Sequence, residues 1–151
     1  MNKKAFTLVE LVIVIFIISL ATALVMPNLW NSGKRALKSE AKRISATLRY
    51  INDEAVAKKR LYTVTFDLDS GSWGFRSEGE SRNFQMSRDV ILNDVLVPSL
   101  GKVSSGEVIM EFGASGPAEP ITVHLLAGED AYSVQFNHIS GRSKVHRGYM
   151  L

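Results

Sequence analysis

The chain opens on an apolar run. From Phe6 to Met26 almost every residue is Leu, Val, Ile, Phe or Ala, and Glu10 is the one charge. At about 1.5 Å per residue a helix of this length reaches roughly 31 Å. That matches a hydrocarbon core of about 30 Å, so the pattern predicts a membrane-spanning helix over 6–26. The run is longer than the apolar stretch of an ordinary secretory signal peptide, about 7–15 residues. Lys3 and Lys4 precede it without an acid. The positive-inside bias therefore keeps Met1–Ala5 cytoplasmic and sends the rest of the chain outward.

The next stretch changes period. Pro27 removes a backbone donor and Gly33 adds backbone freedom, so a helix either ends here and a second begins, or one long helix bends. Leu37, Ala41, Ile44, Leu48, Ile51 and Ala55 then form a single apolar stripe at helical spacing. Lys34, Arg35, Lys38, Glu40, Lys42, Arg43, Arg49, Asp53, Glu54, Lys58 and Lys59 occupy the other faces. This favours an amphipathic continuation over 27–60, with its stripe on a domain and its charges in water.

From Leu61 the period is two. Leu61–Leu68 and Trp73–Arg76 read as a hairpin closed by Asp69-Ser70-Gly71-Ser72, because β-branched and aromatic residues alternate up to a turn. Ser77–Asn83 is polar and reads as a loop. Asp89–Leu100 holds at most a short strand. Glu107–Phe112, Ile121–Leu126, Tyr132–Phe136 and Ser143–His146 read as strands, and Gly113–Pro120 as a loop. No internal repeat is evident. One long helix followed by six or seven hairpin-linked strands predicts an α+β fold, with the stripe covering an antiparallel sheet over 61–151.

Composition adds bounds. The 151 residues suffice for one domain beside a membrane helix. Cysteine is absent, which rules out disulfides and Cys-ligated metals. The net charge of +3 permits a local basic patch and does not by itself argue for nucleic acid.

Glu10 is the oddity, since an ionisable group within an apolar span costs free energy. It either snorkels to the interface or meets a positive partner on assembly. A cut before Phe6 would create such a partner, an α-amino group one helical turn away on a neighbouring chain. Lys3-Lys4-Ala5, then Phe6-Thr7-Leu8-Val9-Glu10-Leu11, then the apolar run, resembles the N-terminal signal of type IV pilins and type II secretion pseudopilins. The resemblance implies that a prepilin peptidase cuts between Ala5 and Phe6, leaving 1–5 as a leader, and methylates Phe6. It also implies that Glu10 serves assembly. Pro27 falls where this family often kinks its helix, while Ala5 departs from the family's usual glycine. The helix-to-hairpin stretch Ala55–Phe75 and the Val134-Gln135-Phe136 strand before Ser140-Gly141-Arg142 resemble the GspH/FimT branch, and with it the pilin fold.

No active-site motif is present. His124, His138 and His146 lack metal-ligand spacing. Asp67 and Asp69 offer carboxylates next to a turn, as calcium ligands do, but a third and fourth oxygen are missing. Arg142, Lys144, His146 and Arg147 cluster near a turn. They read as a charged edge strand that blocks unwanted pairing, or as phosphate contacts, since some DNA-uptake minor pilins carry Gly-Arg-x-Arg where this chain has Gly141-Arg142-Ser143-Lys144. The sequence thus predicts a non-enzymatic minor pseudopilin of a type II secretion system without a cofactor. Its partners would be other pilins of the fibre, the prepilin peptidase and the inner membrane, with the β domain in the periplasm. The alternative is a DNA-binding minor pilin of a type IV pilus or competence system.

Overall fold

The computed structural model describes residues 7–30 and 32–150, with the side chains of 24–30 and 32 excepted. The chain divides between Ser32 and Gly33 into two units.

The first unit is helix α1 (Leu8–Trp30). It runs through Pro27 to Trp30, and residue 31, in the stretch 28–33 over which the two sequence readings divide, lies outside the described residues. Its apolar side chains, from Leu8 to Leu20, are exposed. The hydroxyls of Ser19 and Thr22 donate to the carbonyls of Ile15 (2.8 Å) and Ile18 (2.7 Å), one turn back. The polar groups of this surface are thereby satisfied within the helix. Among the described residues no helix is long and apolar enough to cross a membrane. The run Phe6–Met26 extends past the described side chains of α1 at both ends.

The second unit begins with helix α2 (Ser32–Lys58) and continues through ten strands. These are β1 (Tyr62–Asp67), β2 (Ser72–Ser77), β3 (Glu80–Gln85), β4 (Ile91–Val97) and β5 (Gly101–Val103), followed by β6 (Glu107–Gly113), β7 (Gly116–Pro117), β8 (Ile121–Ala127), β9 (Asp130–Asn137) and β10 (Arg142–Arg147). They form two five-stranded antiparallel sheets, ordered β3-β2-β1-β6-β7 and β10-β9-β8-β4-β5. The α+β class and the helix on antiparallel strands agree with the sequence reading.

All six stripe residues of α2, Leu37, Ala41, Ile44, Leu48, Ile51 and Ala55, are fully buried. They share one core with Val64, Phe66 and Phe112 of the first sheet and Val123, Val134 and Phe136 of the second. Phe112 meets Phe136 edge-on at 5.4 Å between ring centres, which joins the sheets directly. The flanks of the stripe are polar and also buried. Glu40 accepts from the Ser87 hydroxyl (2.6 Å) and pairs with Arg43 (2.5 Å), whose guanidinium also donates to the Gln85 carbonyl (3.1 Å).

Three sequence readings change. Ser77–Asn83 is a tight turn leading into strand β3, paired with β2 from Ser72↔Gln85 to Ser77↔Glu80. An edge strand of this kind is held by its ladder hydrogen bonds, so it lacks the apolar alternation that marks a half-buried strand. Asp89–Leu100 holds the seven-residue strand β4. The stretch Gly113–Pro120 includes the short strand β7.

A repeat is also present. Tyr62-x-Val64-x-Phe66-Asp67 and Tyr132-x-Val134-x-Phe136-Asn137 each run into a turn ending Ser-Gly. Asp67 Oδ1 accepts from the amides of Asp69 (3.1 Å) and Ser70 (3.0 Å). Asn137 Oδ1 accepts from those of Ile139 and Ser140, both at 3.0 Å. Gly71 and Gly141 close the turns at φ 64° and 63°, a conformation that only glycine adopts cheaply. Each sheet is thus built on one copy of the same hairpin.

Asn52 of α2, 8% exposed, lies against two turns. A Cβ on Gly141 would sit 2.6 Å from its Nδ2, and one on Gly116 2.9 Å from its Oδ1. Gly141→Ala should therefore cost about 1–2 kcal/mol for the left-handed backbone alone, plus a clash with Asn52. Chemical denaturation of Gly141→Ala with and without Asn52→Ala checks this. The cost should be smaller in the Asn52→Ala background, and equal costs would show that Asn52 does not constrain the turn.

Candidate functional site

Ala5 and Phe6 lie outside the described residues. The structure begins at Thr7, which caps α1. Its hydroxyl accepts from the Glu10 amide (3.2 Å), and its carbonyl accepts from the amides of Glu10 (3.1 Å) and Leu11 (3.2 Å). Thr7-Leu8-Val9-Glu10 spells a capping box. Only the threonine half of that box is formed among the described residues, so the Glu10 carboxylate does not close back onto Thr7. Glu10 is exposed, lies in the first turn and has no cation within ion-pair distance among the described residues. A carboxylate there also faces the positive end of the helix dipole. This is an acid presented on an apolar helix with its bonding capacity open.

The basic cluster lies on β10, the edge strand of the second sheet. Arg142 is opposite Asn137, Lys144 opposite Gln135 and His146 opposite Ser133, so alternation puts these three on one face. Arg147 is opposite Tyr132 and points the other way, toward Asp130 (3.4 Å), which also pairs with Lys34 (3.2 Å). The structure brings Arg142 and Lys144 together, both exposed, and separates Arg147 from them.

On the same face lies a row that sequence reasoning missed. Register sets Asp94 (β4), His124 (β8) and Ser133 (β9) side by side, and all three are buried, His124 at 1% exposure. His124 Nδ1 is 2.5 Å from Asp94 Oδ1, and its Nε2 is 2.7 Å from the Met150 carbonyl. The Tyr149 hydroxyl donates to Asp94 Oδ2 (2.7 Å), as does Asn93 Nδ2 (2.5 Å). Tyr149 also stacks on the His124 ring at 3.9 Å. The Ser133 hydroxyl donates to the Gly148 carbonyl (2.8 Å) and accepts from the Met150 amide (3.0 Å). The residue types are those of a hydrolytic triad. However, His124 Nε2 bonds Met150 and not Ser133, so no base activates the serine. The row is a clasp on the Gly148–Met150 segment. Leaving either buried acceptor unpaired would cost about 1–3 kcal/mol.

The remaining candidates resolve locally. Asp67 ends β1, and its carboxylate is consumed by its own turn, with the Ser70 hydroxyl at 2.6 Å on Oδ2. That hydroxyl, followed by the Ser70 amide, holds the Asp67 carboxyl below its ordinary range. Asp69 Oδ1 accepts from the Gly106 amide (3.0 Å). The two acids are turn caps, and no group of metal-ligating side chains occurs among the described residues. A shallow groove of about 640 Å³ on the outer face of the first sheet is lined by Thr63, Thr65, Ser72, Arg76, Asn83 and Ile109, without converging catalytic groups.

Residues 1–26 match the family model for the prokaryotic N-terminal methylation motif. Over 88 residues, 58% of this chain, the sequence is 33% identical to type II secretion system protein H of Pseudomonas aeruginosa. The chain spans about half of that relative's length (51%). Among solved structures the fold is similar to the minor pseudopilin EpsH of the Vibrio cholerae type II secretion system. The TM-score there is 0.62 at 14% identity, covering 80% of this chain and all of that one. It is also similar to the Pseudomonas aeruginosa type IV minor pilin FimU, with TM-score 0.52 at 17% identity over 75% of this chain and 90% of the other. A methylation motif leading into α1, a helix laid on antiparallel sheets and the stretch shared with protein H agree: the chain is similar to the type IV pilin-like proteins and, over the matched stretch, to secretion protein H.

Proposed function

We propose that this chain is a minor pseudopilin, a structural subunit of a type II secretion pseudopilus that helps export folded proteins. The observation that carries the reading is Glu10, a single open carboxylate on an otherwise uncharged apolar helix directly behind a methylation motif. A prepilin peptidase cuts between Ala5 and Phe6, and the new amine is methylated. The helix anchors the subunit in the inner membrane as a single pass, with the sheets in the periplasm. In the fibre the apolar faces of neighbouring helices bury one another. Glu10 pairs with the N-terminal amine of a neighbour, where low dielectric strengthens the attraction. The role is structural and needs no cofactor or metal.

Processing is checked by intact-mass measurement on protein extracted from cells that hold the peptidase. The mass should correspond to a chain starting at a methylated Phe6. A chain starting at Met1, or one cut after Ala21 or Ala23, overturns the assignment.

Glu10→Ala removes the only charge of the run, so membrane insertion should be equal or better while incorporation into fibres falls. Cross-linking or co-purification with wild-type neighbours measures it. Normal incorporation would make Glu10 a tolerated interfacial charge.

A second reading, a DNA-binding minor pilin, is favoured by the exposed Arg142 and Lys144 side by side on an edge strand and by the likeness to FimU. Phosphate contacts would give a steep salt dependence. Arg142→Ala with Lys144→Ala would then flatten that slope by about one to two contacts. We expect only weak, easily salted-out binding to duplex, with secretion intact in the double variant. Sub-micromolar binding at physiological salt, lost in the variant, would reverse the order of the two readings.

A further inference from the structure

The repeated hairpin is enclosed on both sides in the first sheet and on one side in the second. Strand β2 lies between β1 and β3, whereas β10 ends its sheet and has β9 as its only strand neighbour among the described residues. Matching Gly71 to Gly141 sets Trp73, Phe75 and Ser77 of β2 against Ser143, Val145 and Arg147 of β10. The registers agree, Asp67↔Ser72 in one copy and Asn137↔Arg142 in the other. In the first copy β3 covers these positions through Trp73↔Phe84, Phe75↔Arg82 and Ser77↔Glu80. In the second no described strand does. The segment after β10 turns inward, over β9 toward His124 and Asp94, and leaves the outer edge of β10 bare.

The ladder shows which groups that edge offers. The Gly148 amide donates to the Ala131 carbonyl (2.8 Å), continuing the β10–β9 register. Hydrogen-bonded pairs recur at every second residue of an antiparallel ladder, so Arg142, Lys144 and His146 turn their amides and carbonyls toward β9. Ser143, Val145 and Arg147 turn theirs outward. The side chains around them decide what can pair there. Arg142 and Lys144 are exposed on the outer face, while Val145 packs on the core beneath. The Ser143 hydroxyl is shielded from water and has no hydrogen-bond partner among the described residues.

We propose that β10 is a docking edge, which takes an extended acidic segment of another protein as an added antiparallel strand. The occupant carries an apolar residue opposite Val145, a carboxylate opposite Lys144, a hydrogen-bonding residue opposite Ser143 and a carboxylate opposite Arg142. Main-chain bonds to Ser143, Val145 and Arg147 give affinity, and the side chains select the partner. The same cations exclude a second copy of this chain, since two β10 strands side by side bring like charges together. A charged edge thus refuses one strand and admits another. This edge belongs to the fold, whatever fibre or complex the chain enters.

The test uses the full chain in detergent micelles and a short synthetic peptide whose centre reads Val, Glu, Ser, Glu. Hydrogen exchange is followed at the β10 amides. With peptide at about ten times its Kd, exchange at Ser143, Val145 and Arg147 should slow about tenfold. Lys144 and His146, already bonded to β9, should not change. Lys144→Glu should weaken binding about tenfold, and a peptide with Lys in place of the first Glu should restore it. A peptide N-methylated at its Val, which lacks the hydrogen that the Val145 carbonyl accepts, should not bind. Unchanged exchange at the three outward amides with peptide in millimolar excess overturns the proposal. Equal binding of the N-methylated peptide does so too, because charge alone then explains it, as does binding unaffected by Lys144→Glu. Duplex DNA that binds more tightly than the peptide, and is lost in Lys144→Glu, also overturns it and returns the cations to phosphate. Should Lys144→Glu fail to fold, wild-type exchange with the plain and N-methylated peptides decides alone.

Discussion

The second unit rests on the burial of one helix stripe. Leu37 through Ala55 form the surface on which strands of both sheets close, and the two sheets share a core because they share that stripe. Full burial of an aliphatic side chain is worth about 1.5–3 kcal/mol, so the six positions together outweigh any polar contact in the unit. The polar contacts direct that burial. Glu40 fixes the helix to Ser87, and Tyr50 reaches Glu80 on β3 (3.2 Å). Asn52 excludes side chains from the two turns packed against it. None of these would hold the helix alone, and each selects one seating of the stripe.

This accounts for what was legible in the sequence. The stripe was readable because helical spacing is a local property, and Leu37 to Ala55 repeat it without a break. The β1–β2 hairpin was readable because Val64 and Phe66 alternate up to Asp67, and the turn announces itself. Strand β3 was not, because Ser81, Arg82 and Asn83 bury little and are held by backbone pairing, which has no side-chain signature. The hairpin repeat was legible in principle. Tyr62-Val64-Phe66 and Tyr132-Val134-Phe136 match in the sequence, but their separation hides the match from any local window.

The candidate sites divide along the same line. The N-terminal motif occupies a few consecutive residues and could be read whole. The parity of the basic cluster was also available, since Arg142 and Lys144 share even spacing along β10 and Arg147 breaks it. The Asp94–His124–Ser133 row was out of reach. Its members come from three strands, and only the register of β4 on β8 and of β8 on β9 makes them neighbours. A bulge between Leu92 and Asp94 also shifts that register, so alternation counted from the strand start would have placed Asp94 on the wrong face. A buried acid and histidine in the sequence of a β domain carry no flag until a pairing scheme is known.

The two units handle polar groups by opposite means. In the sheet unit, the polar groups of Asp94, His124 and Ser133 are answered across the fold, by one another and by the Gly148–Met150 segment. In α1, Ser19 and Thr22 are answered within one turn, and Thr7 caps the helix start by itself. A helix so self-sufficient has no internal use for a carboxylate, yet Glu10 is kept among residues that would otherwise enter an apolar phase at no penalty. The penalty of an unpaired acid in such a phase grows as water is excluded. The same exclusion strengthens its attraction to any cation a neighbouring chain supplies. In the proposed fibre, packing of α1 helices and ion pairing at Glu10 would therefore be coupled, because each would make the other more favourable.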